Sequence, residues 1–365
     1  MEELEKKKFD PEKDSIKLFT LVSEYDFLQV GNEKIPIVTA LPKKINNLFL
    51  YFTKKKVRFF SALFDYRNLM VFYPRLMNVL SHKIRKYWPK KIIISSFAIA
   101  KNIEFCKVGS RFVKEDERPH IELYLHSPMQ YIWSHHNEYI EKLEWWRLSL
   151  FEIVTPILRK WDVQYTRFDE LYANSEYTSW LAKKLYNLET IVRYPHIEEE
   201  FFHQEINEET FDYYVYVWRL VKFVRETDKI IKLFNQLKKP LIVMGNGPDE
   251  LALKAMANDN IIFVWWIDDL QERIDIIKKA KWLINLTKES FGIGTAEALL
   301  LWVPVLGYND WATPELVDKI SGVLVDSKDQ QSLLNWIKAF EKKKRNRWLI
   351  SKHIKKKLLS HHQVE

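Results

Sequence analysis

The feature that most constrains this chain is a repeated alternation of short apolar runs with helical patterns, beginning near residue 90. "KKIIISSF" (90–97), "HIELYLHS" (120–127), "DELYANS" (169–175) and "TIVRYP" (190–195) read as strands. An acidic stretch follows, "HIEEEFFHQEINEE" (196–209), and then the pattern restarts. "YYVYVW" (213–218), "PLIVMG" (240–245), "NIIFVWW" (260–266), "KWLINLT" (281–287), "VPVLGY" (303–308) and "GVLVD" (322–326) are short, buried-looking strands with helical patterns between most of them. Runs this short and this apolar suit strands covered on both faces. Strand and helix in alternation predict an α/β fold with parallel sheets. The restart predicts two Rossmann-like domains facing each other across a cleft, with the acidic stretch as hinge. The expected boundaries are 1–197, 198–345 and a basic helical tail at 346–365.

A length of 365 residues fits two domains of ordinary size. With 47% hydrophobic and 29% charged residues the chain is globular in type. No apolar run reaches the length of a membrane span, and "MEELEKKKFDPEKD" is too polar for a signal peptide. The one cysteine, Cys106, excludes an internal disulfide and a Cys-based zinc site. A cytoplasmic protein is the expectation. The formal charge of +8 suits nucleic acid, anionic lipid or phosphorylated substrates without choosing among them. Lysine runs at 54–56, 342–344 and 355–357 read first as solvated faces. "NNLFLYFTKKKVRFFSALFDYRNLMVFYPRL" interleaves aromatics with Lys and Arg, as surfaces resting on a membrane do, although ordinary core packing of Phe and Leu is the preferred reading.

Ligands of such sheets bind at the carboxyl ends of strands. "LIVMGNGPDELALK" runs strand, then Gly245 and Gly247 in a turn, then helix. Glycine lets a backbone turn there and approach a ligand closely. "LINLTKESFGIGTAEALLL" is more specific: a strand ends near Thr287, a loop Glu289–Gly294 follows, and a helix opens near Thr295. Amides at that helix start would face an anion with the positive end of the dipole. Glu289 and Glu297 flank the turn.

Together, "ESFGIGTAEAL", "PVLGY", "ATPELV" and "GVLVD" resemble the signature of glycosyltransferase family 4, retaining enzymes of the GT-B fold that use nucleotide sugars. "SSFAIAKNI", "YLHSPMQYIW", "LRKWD" and "LYANSEYTSWLAKKLY" resemble its branch of mannosyltransferases in surface-polysaccharide assembly. The resemblance implies roles by position. Glu289 would lie by the donor sugar and Glu297 would hold the nucleotide ribose. Ser290, Phe291, Gly292, Ile293, Gly294 and Thr295 would grip sugar and diphosphate through backbone amides. His126 would reach the transferred sugar. Arg219 would neutralise the departing diphosphate, a bidentate task suited to guanidinium. The resemblance implies no metal and no cofactor, the nucleotide sugar being a substrate.

This chain departs from that pattern. The expected Gly and phosphate-binding Lys are Trp218 and Val224, so that Lys222 or Arg225 must supply the cation. Trp302 and Trp311 also stand where the family has glycine, as do Trp282 and one of Trp265 or Trp266. The chain has 8 Gly and 14 Trp, whereas a typical chain is roughly 7% Gly. Either these turns have repacked around indoles, or the gene comes from a lineage that reads UGA as glycine and has been translated with UGA as tryptophan. The second reading predicts UGA codons at 218, 302 and 311, and UGG at Trp133 and Trp161. A further departure is at the start. "SIKLFTLV" resembles the second strand of the family, so the first strand and its acceptor-side glycine loop are expected to be missing.

The expected function is transfer of a hexose, mannose first, from a nucleoside-diphosphate sugar to a glycan or lipid-linked acceptor, by a peripheral protein at the inner face of the plasma membrane. A catalytically impaired donor-binding or regulatory protein is the alternative. Nucleic-acid binding rests on charge alone and is not expected.

Overall fold

The structure is a computed structural model. It describes residues 16–47 without 31–32, 70–141 without 106, 109–110 and 113–117, and 143–205 without 144 and 165–166. It further describes 211–265 without 222–224, then 267–341 and 345–362. Cys106, Lys222, Val224, Trp266, the lysine runs at 54–56 and 342–344, residues 206–209 of the acidic stretch, "MEELEKKKFDPEKD" and most of the aromatic-basic stretch lie outside the described residues.

The chain divides into two compact units. The first comprises 1–136, 143–172 and 182–190. The second comprises 191–365 together with two excursions from the earlier sequence, 137–142 and 173–181.

In chain order the earlier elements are β1 (Leu18–Thr20), β2 (Phe27–Val30), β3 (Glu33–Thr39), α1 (Tyr73–Tyr87), β4 (Lys91–Ser96), β5 (Lys107–Val108), β6 (Arg111–Phe112) and β7 (His120–Leu125). Helices α2 (His136–Ile140) and α3 (Trp145–Asp162), strand β8 (Glu170–Ala173), helix α4 (Glu176–Tyr186) and strand β9 (Ile191–Val192) follow. Strands β4-β7-β8-β9 form one sheet, with β4 and β7 parallel from Lys91↔His120 to Ser96↔Leu125. Along β4 the residues alternate strictly, with Ile92, Ile94 and Ser96 buried. That period of two puts one face on the core. A separate sheet, β1-β3-β2, joins a parallel to an antiparallel pair.

A buried polar knot fastens the first unit. The Lys101 ammonium, fully buried, pairs with Asp162 Oδ1 at 3.1 Å. Asp162 Oδ2 accepts hydrogen bonds from Trp133 Nε1 at 2.8 Å and Tyr186 O–H at 2.7 Å. Burial pushes the Lys101 pKa down, and its carboxylate partner is what keeps a charge there tolerable. The stretches "FAIAKNI", "YIW" and "LRKWD" thus meet through one carboxylate.

The second unit contains β10 (Tyr214–Val217), α5 (Thr227–Leu237), β11 (Leu241–Met244), α6 (Glu250–Lys254), β12 (Ile261–Val264), α7 (Leu270–Lys278) and β13 (Trp282–Asn285). It continues with α8 (Ile293–Leu300), β14 (Val305–Tyr308), α9 (Thr313–Leu316), β15 (Gly322–Val325), α10 (Gln330–Phe340) and α11 (Arg347–His362). Its six strands are all parallel, in the order β12-β11-β10-β13-β14-β15. Every residue of β10 and β13 is buried, as central strands covered on both faces require. Asp269 and Asp329 cap α7 and α10 by accepting from the backbone N–H groups of Glu272 and Ser332, each at 2.8 Å. All ten strands read from the sequence after residue 90 are present. Among the described residues no helix is long and apolar enough to cross a membrane.

Candidate functional site

The strand order fixes where a ligand can sit. From β10 the chain moves outward to β11 and β12, then returns to place β13 on the other side of β10. The loops after β10 and β13 therefore leave in opposite directions, and the gap at their carboxyl ends is the switch point where open α/β sheets bind ligands. Arg219 follows β10, and Thr287, Lys288 and Glu289 follow β13.

Glu289 is the hub of that gap. Its Oε1 forms an ion pair with Arg225 Nη1, and Thr287 Oγ1 lies 3.5 Å from the same nitrogen. Its Oε2 is buried with no hydrogen-bond partner among the described residues. A Cβ placed on Gly292 would lie 3.2 Å from that oxygen. Helix α8 opens at Ile293, two residues ahead of the expected Thr295, because Gly292 itself serves as N-cap with φ +101°. Its carbonyl accepts from the amides of Thr295 at 3.0 Å and Ala296 at 3.1 Å. A side chain at that φ is strained, so the tight entry to the helix depends on glycine.

The rest of the loop is anchored residue by residue. Ser290 Oγ accepts from Asn174 Nδ2 at 3.4 Å. Phe291 is buried against Tyr194, ring centroids 4.9 Å apart. Thr295 Oγ1 accepts from Asn285 Nδ2 at 2.8 Å. Ile293 is exposed. Gly294 rests on the end of β10, where an added Cβ would stand 3.4 Å from the Val217 carbonyl. Lys288 pairs with Glu138 at 2.8 Å.

The glycine turn after β11 is wrapped around the segment after β10. Trp218 N–H donates to the Met244 carbonyl at 3.2 Å and Leu220 N–H to that of Asn246 at 2.9 Å. Gly245, at φ +142°, and Gly247 each lie so close that a Cβ would collide with the carbonyl oxygens of Trp218 and Leu220.

Neither Arg219 nor Glu297 makes a hydrogen bond or ion pair with Glu289 among the described residues. Arg219 is exposed, and its guanidinium has no hydrogen bond or ion pair among the described residues. Arg225 instead holds the acid. Glu297 is buried and faces Arg273 at 3.4 Å, which also pairs with Glu198 at 2.7 Å. His126 belongs to the first unit, just past β7, with Nε2 2.9 Å from Ser95 Oγ, and burial lowers its pKa. Asn285, Asn174 and Arg273 were not singled out from sequence. Asn285 carried a usable signal, a polar residue inside the otherwise apolar strand run "WLIN"; the other two come from distant segments and carried none.

Burial pushes the Glu297 pKa up from 4.5 to about 7, Arg273 opposing and Glu198 adding to the rise. The folded protein therefore binds this proton more tightly than the unfolded chain. The contribution to stability is fully present below about pH 4.5 and is lost as pH rises to about 7, at most about 3 kcal/mol. Melting temperature is expected to fall across that window. Glu297→Gln should flatten the fall, measured by thermal melts at half-unit steps of pH; an unchanged slope would contradict it.

Two indoles occupy turns of this unit. Trp302 ends α8 in the left-handed region, φ +56°. Val303 N–H donates to the Ala298 carbonyl and Trp302 N–H to that of Leu299, the double closure in which glycine is strongly preferred. Trp302 is fully buried, and its Nε1 has no hydrogen-bond partner among the described residues. Trp311, φ +55°, stacks on Tyr177 at 5.0 Å, and the next amide, Ala312 N–H, donates to the Glu289 carbonyl at 3.2 Å. Left-handed backbone costs a residue bearing Cβ about 1–2 kcal/mol, and an unpaired buried N–H about 1–3 kcal/mol more.

Residues 197–357 match the family model for glycosyl transferases group 1. No curated protein matches the sequence. The structure is similar to sucrose-phosphate synthase from Thermosynechococcus elongatus, with TM-score 0.63 and 13% identity over 95% of this chain and 85% of that one. It is also similar to HepE of Anabaena in complex with UDP-glucose, with TM-score 0.54 and 13% identity over 90% of this chain and 84% of that one. Identities this low speak to the fold alone, and the fold is GT-B, built from two Rossmann-like units.

Proposed function

We propose that this chain is a retaining glycosyltransferase of family 4 that moves a hexose from a nucleoside-diphosphate sugar to a glycan or lipid-linked acceptor. The group 1 match and the GT-B fold support a glycosyltransferase that uses a nucleotide sugar. The observation that carries the reading is convergence at the switch point: Arg225, Glu289 and the amides at the start of α8 meet within one loop's reach. A helix start and a guanidinium together suit a diphosphate. Charge builds on its oxygen as the sugar leaves, so these donors stabilise the transition state more than the ground state.

Arg225 takes the cationic role in this proposal. Its Nη1 holds Glu289, and no hydrogen bond of its Nε or Nη2 is present among the described residues, which leaves donors for phosphate oxygens. Glu289 and the backbone of Ser290–Thr295 would hold the sugar and diphosphate, and Glu297 the ribose. Arg219, exposed beside the switch point, would add a second charge on the diphosphate. His126 is proposed as a sugar-contacting residue on the resemblance alone. Mannose as the sugar, the surface-polysaccharide branch, the absence of any metal requirement and a peripheral place at the inner membrane face are proposed on the same ground.

The test is incubation of the full chain with UDP-, GDP-, ADP- and dTDP-hexoses, reading release of nucleoside diphosphate with and without metal chelator. Release from one donor, unaffected by chelation, is expected. The second reading, a donor-binding protein without turnover, draws on Val224, which stands where the resemblance expects a phosphate-binding lysine. Calorimetric binding of a nucleotide sugar with no release would favour it, and neither binding nor release would sink both.

A further inference from the structure

We infer that the native chain carries glycine at positions 88, 302 and 311, and that the tryptophans written there are UGA codons which the parent organism decodes as glycine. The inference stands on backbone geometry and composition, independently of the transferase reading.

Six non-glycine residues among those described have positive φ: Trp88, Asn187, Glu226, Lys238, Trp302 and Trp311. Tryptophan supplies three of the six, although it is only 14 of 365 residues. Its bulk gives it no affinity for the left-handed region; glycine has that affinity, and glycine is what the chain lacks. Each of the three also sits where chain geometry asks for glycine in its own way. Trp302 closes α8 with the paired hydrogen bonds that glycine favours. Trp311 turns the chain between β14 and α9 directly beside the Glu289 carbonyl. Trp88 ends α1 with φ +42° and ψ +63°. It also precedes Pro89, whose ring crowds the Cβ of whatever residue stands before it. Trp88 lies outside the motifs that carry the family resemblance, so its backbone is independent ground.

The same structure shows what a tryptophan looks like where the fold uses one. Trp133 donates its Nε1–H to the buried Asp162, and the Arg159 guanidinium lies 5.1 Å from its ring centroid. Trp302 is more deeply buried than Trp133, and its Nε1 has no hydrogen-bond partner among the described residues. Trp218 and Trp282 have ordinary φ, so the backbone does not decide them, and the inference does not extend to them.

Three measurements test it. In the genomic DNA, TGA (UGA in the message) is expected at 88, 302 and 311, and TGG at 133; TGG at any of the first three overturns the inference. In the protein isolated from its source, peptides spanning 302 and 311 should be lighter by the difference between Trp and Gly; peptides at the tryptophan mass overturn it. In recombinant protein made as written, Trp302→Gly with Trp311→Gly should raise the melting temperature, by about 3 °C or more. If these are true tryptophans, the same change opens a large cavity and lowers it. Trp133→Gly lowers it under either reading and calibrates the loss.

Discussion

Replacing Arg225 with alanine is expected to lower donor turnover about a thousandfold, the upper range for removing one donor from a site of developing charge. Arg225 is the one cation that the described residues bring onto Glu289, and it is three-quarters withdrawn from solvent, its side chain being 26% exposed. In such a setting its charge acts through less water than that of the exposed Arg219. Arg219→Ala is accordingly expected to cost about ten- to a hundredfold, in line with a weaker, solvated contact. Two causes of loss must be separated. Arg225→Ala removes a phosphate donor and also strands the Glu289 carboxylate, whose other oxygen already lacks a partner. Arg225→Lys keeps the charge and loses the fork, so partial recovery of turnover would assign the effect to charge on the diphosphate. Steady-state rates at saturating donor are the measure. If Arg225→Ala turned over within threefold of the parent, the cation would have to be sought elsewhere and the proposed site geometry would fail.

The ten strands after residue 90 were legible because each is a short run rich in β-branched, aromatic or other apolar residues between turn residues; β10 and β13 are buried throughout, and β4 shows instead a clean period of two. The Glu289–Thr295 loop was legible for a different reason. Its glycines and polar residues interrupt apolar sequence at a strand end, where little but a ligand site or a tight turn accounts for them. The pairing of Arg225 with Glu289 was only half visible. Sequence offered Lys222 and Arg225 as substitutes for a missing lysine, and nothing local could choose between them. The β1-β3-β2 sheet was unread beyond its first strand, since its strands are mostly only partly buried and lack the long apolar runs of the later ones. Nor could sequence show that 137–142 and 173–181 gather with the later unit. Such contacts depend on long-range packing, as when Glu315 accepts the amides of Glu176 and Tyr177 at 2.9 and 2.7 Å. Lys101 hides in the same way. Its charge suggests surface, and only the fold brings Asp162 to it.

Gly247→Ala is expected to destabilise the second unit by about 3 kcal/mol, which lowers its melting temperature by roughly 10 °C. The cause is not torsional, because Gly247 lies outside the left-handed region. It is the approach of two backbones. A Cβ at 247 would overlap the carbonyl of Leu220, and backbone cannot rotate away as a side chain can. Relief would require parting the 245–249 turn from the 218–220 segment and breaking the Leu220–Asn246 and Asp249–Leu220 hydrogen bonds. That segment carries Arg219 and leads to Arg225, so turnover should fall along with stability. Gly294→Ala is the matched comparison. Its Cβ meets only ordinary contact with the Val217 carbonyl, inside the first turn of α8, where alanine is the better helix former. It should melt within about 2 °C of the parent or higher. Two glycines a reader of the sequence would treat alike therefore separate by the neighbour each one meets. Equal melting of the two variants would mean that the strand-end loops do not pack as closely as the switch-point geometry requires.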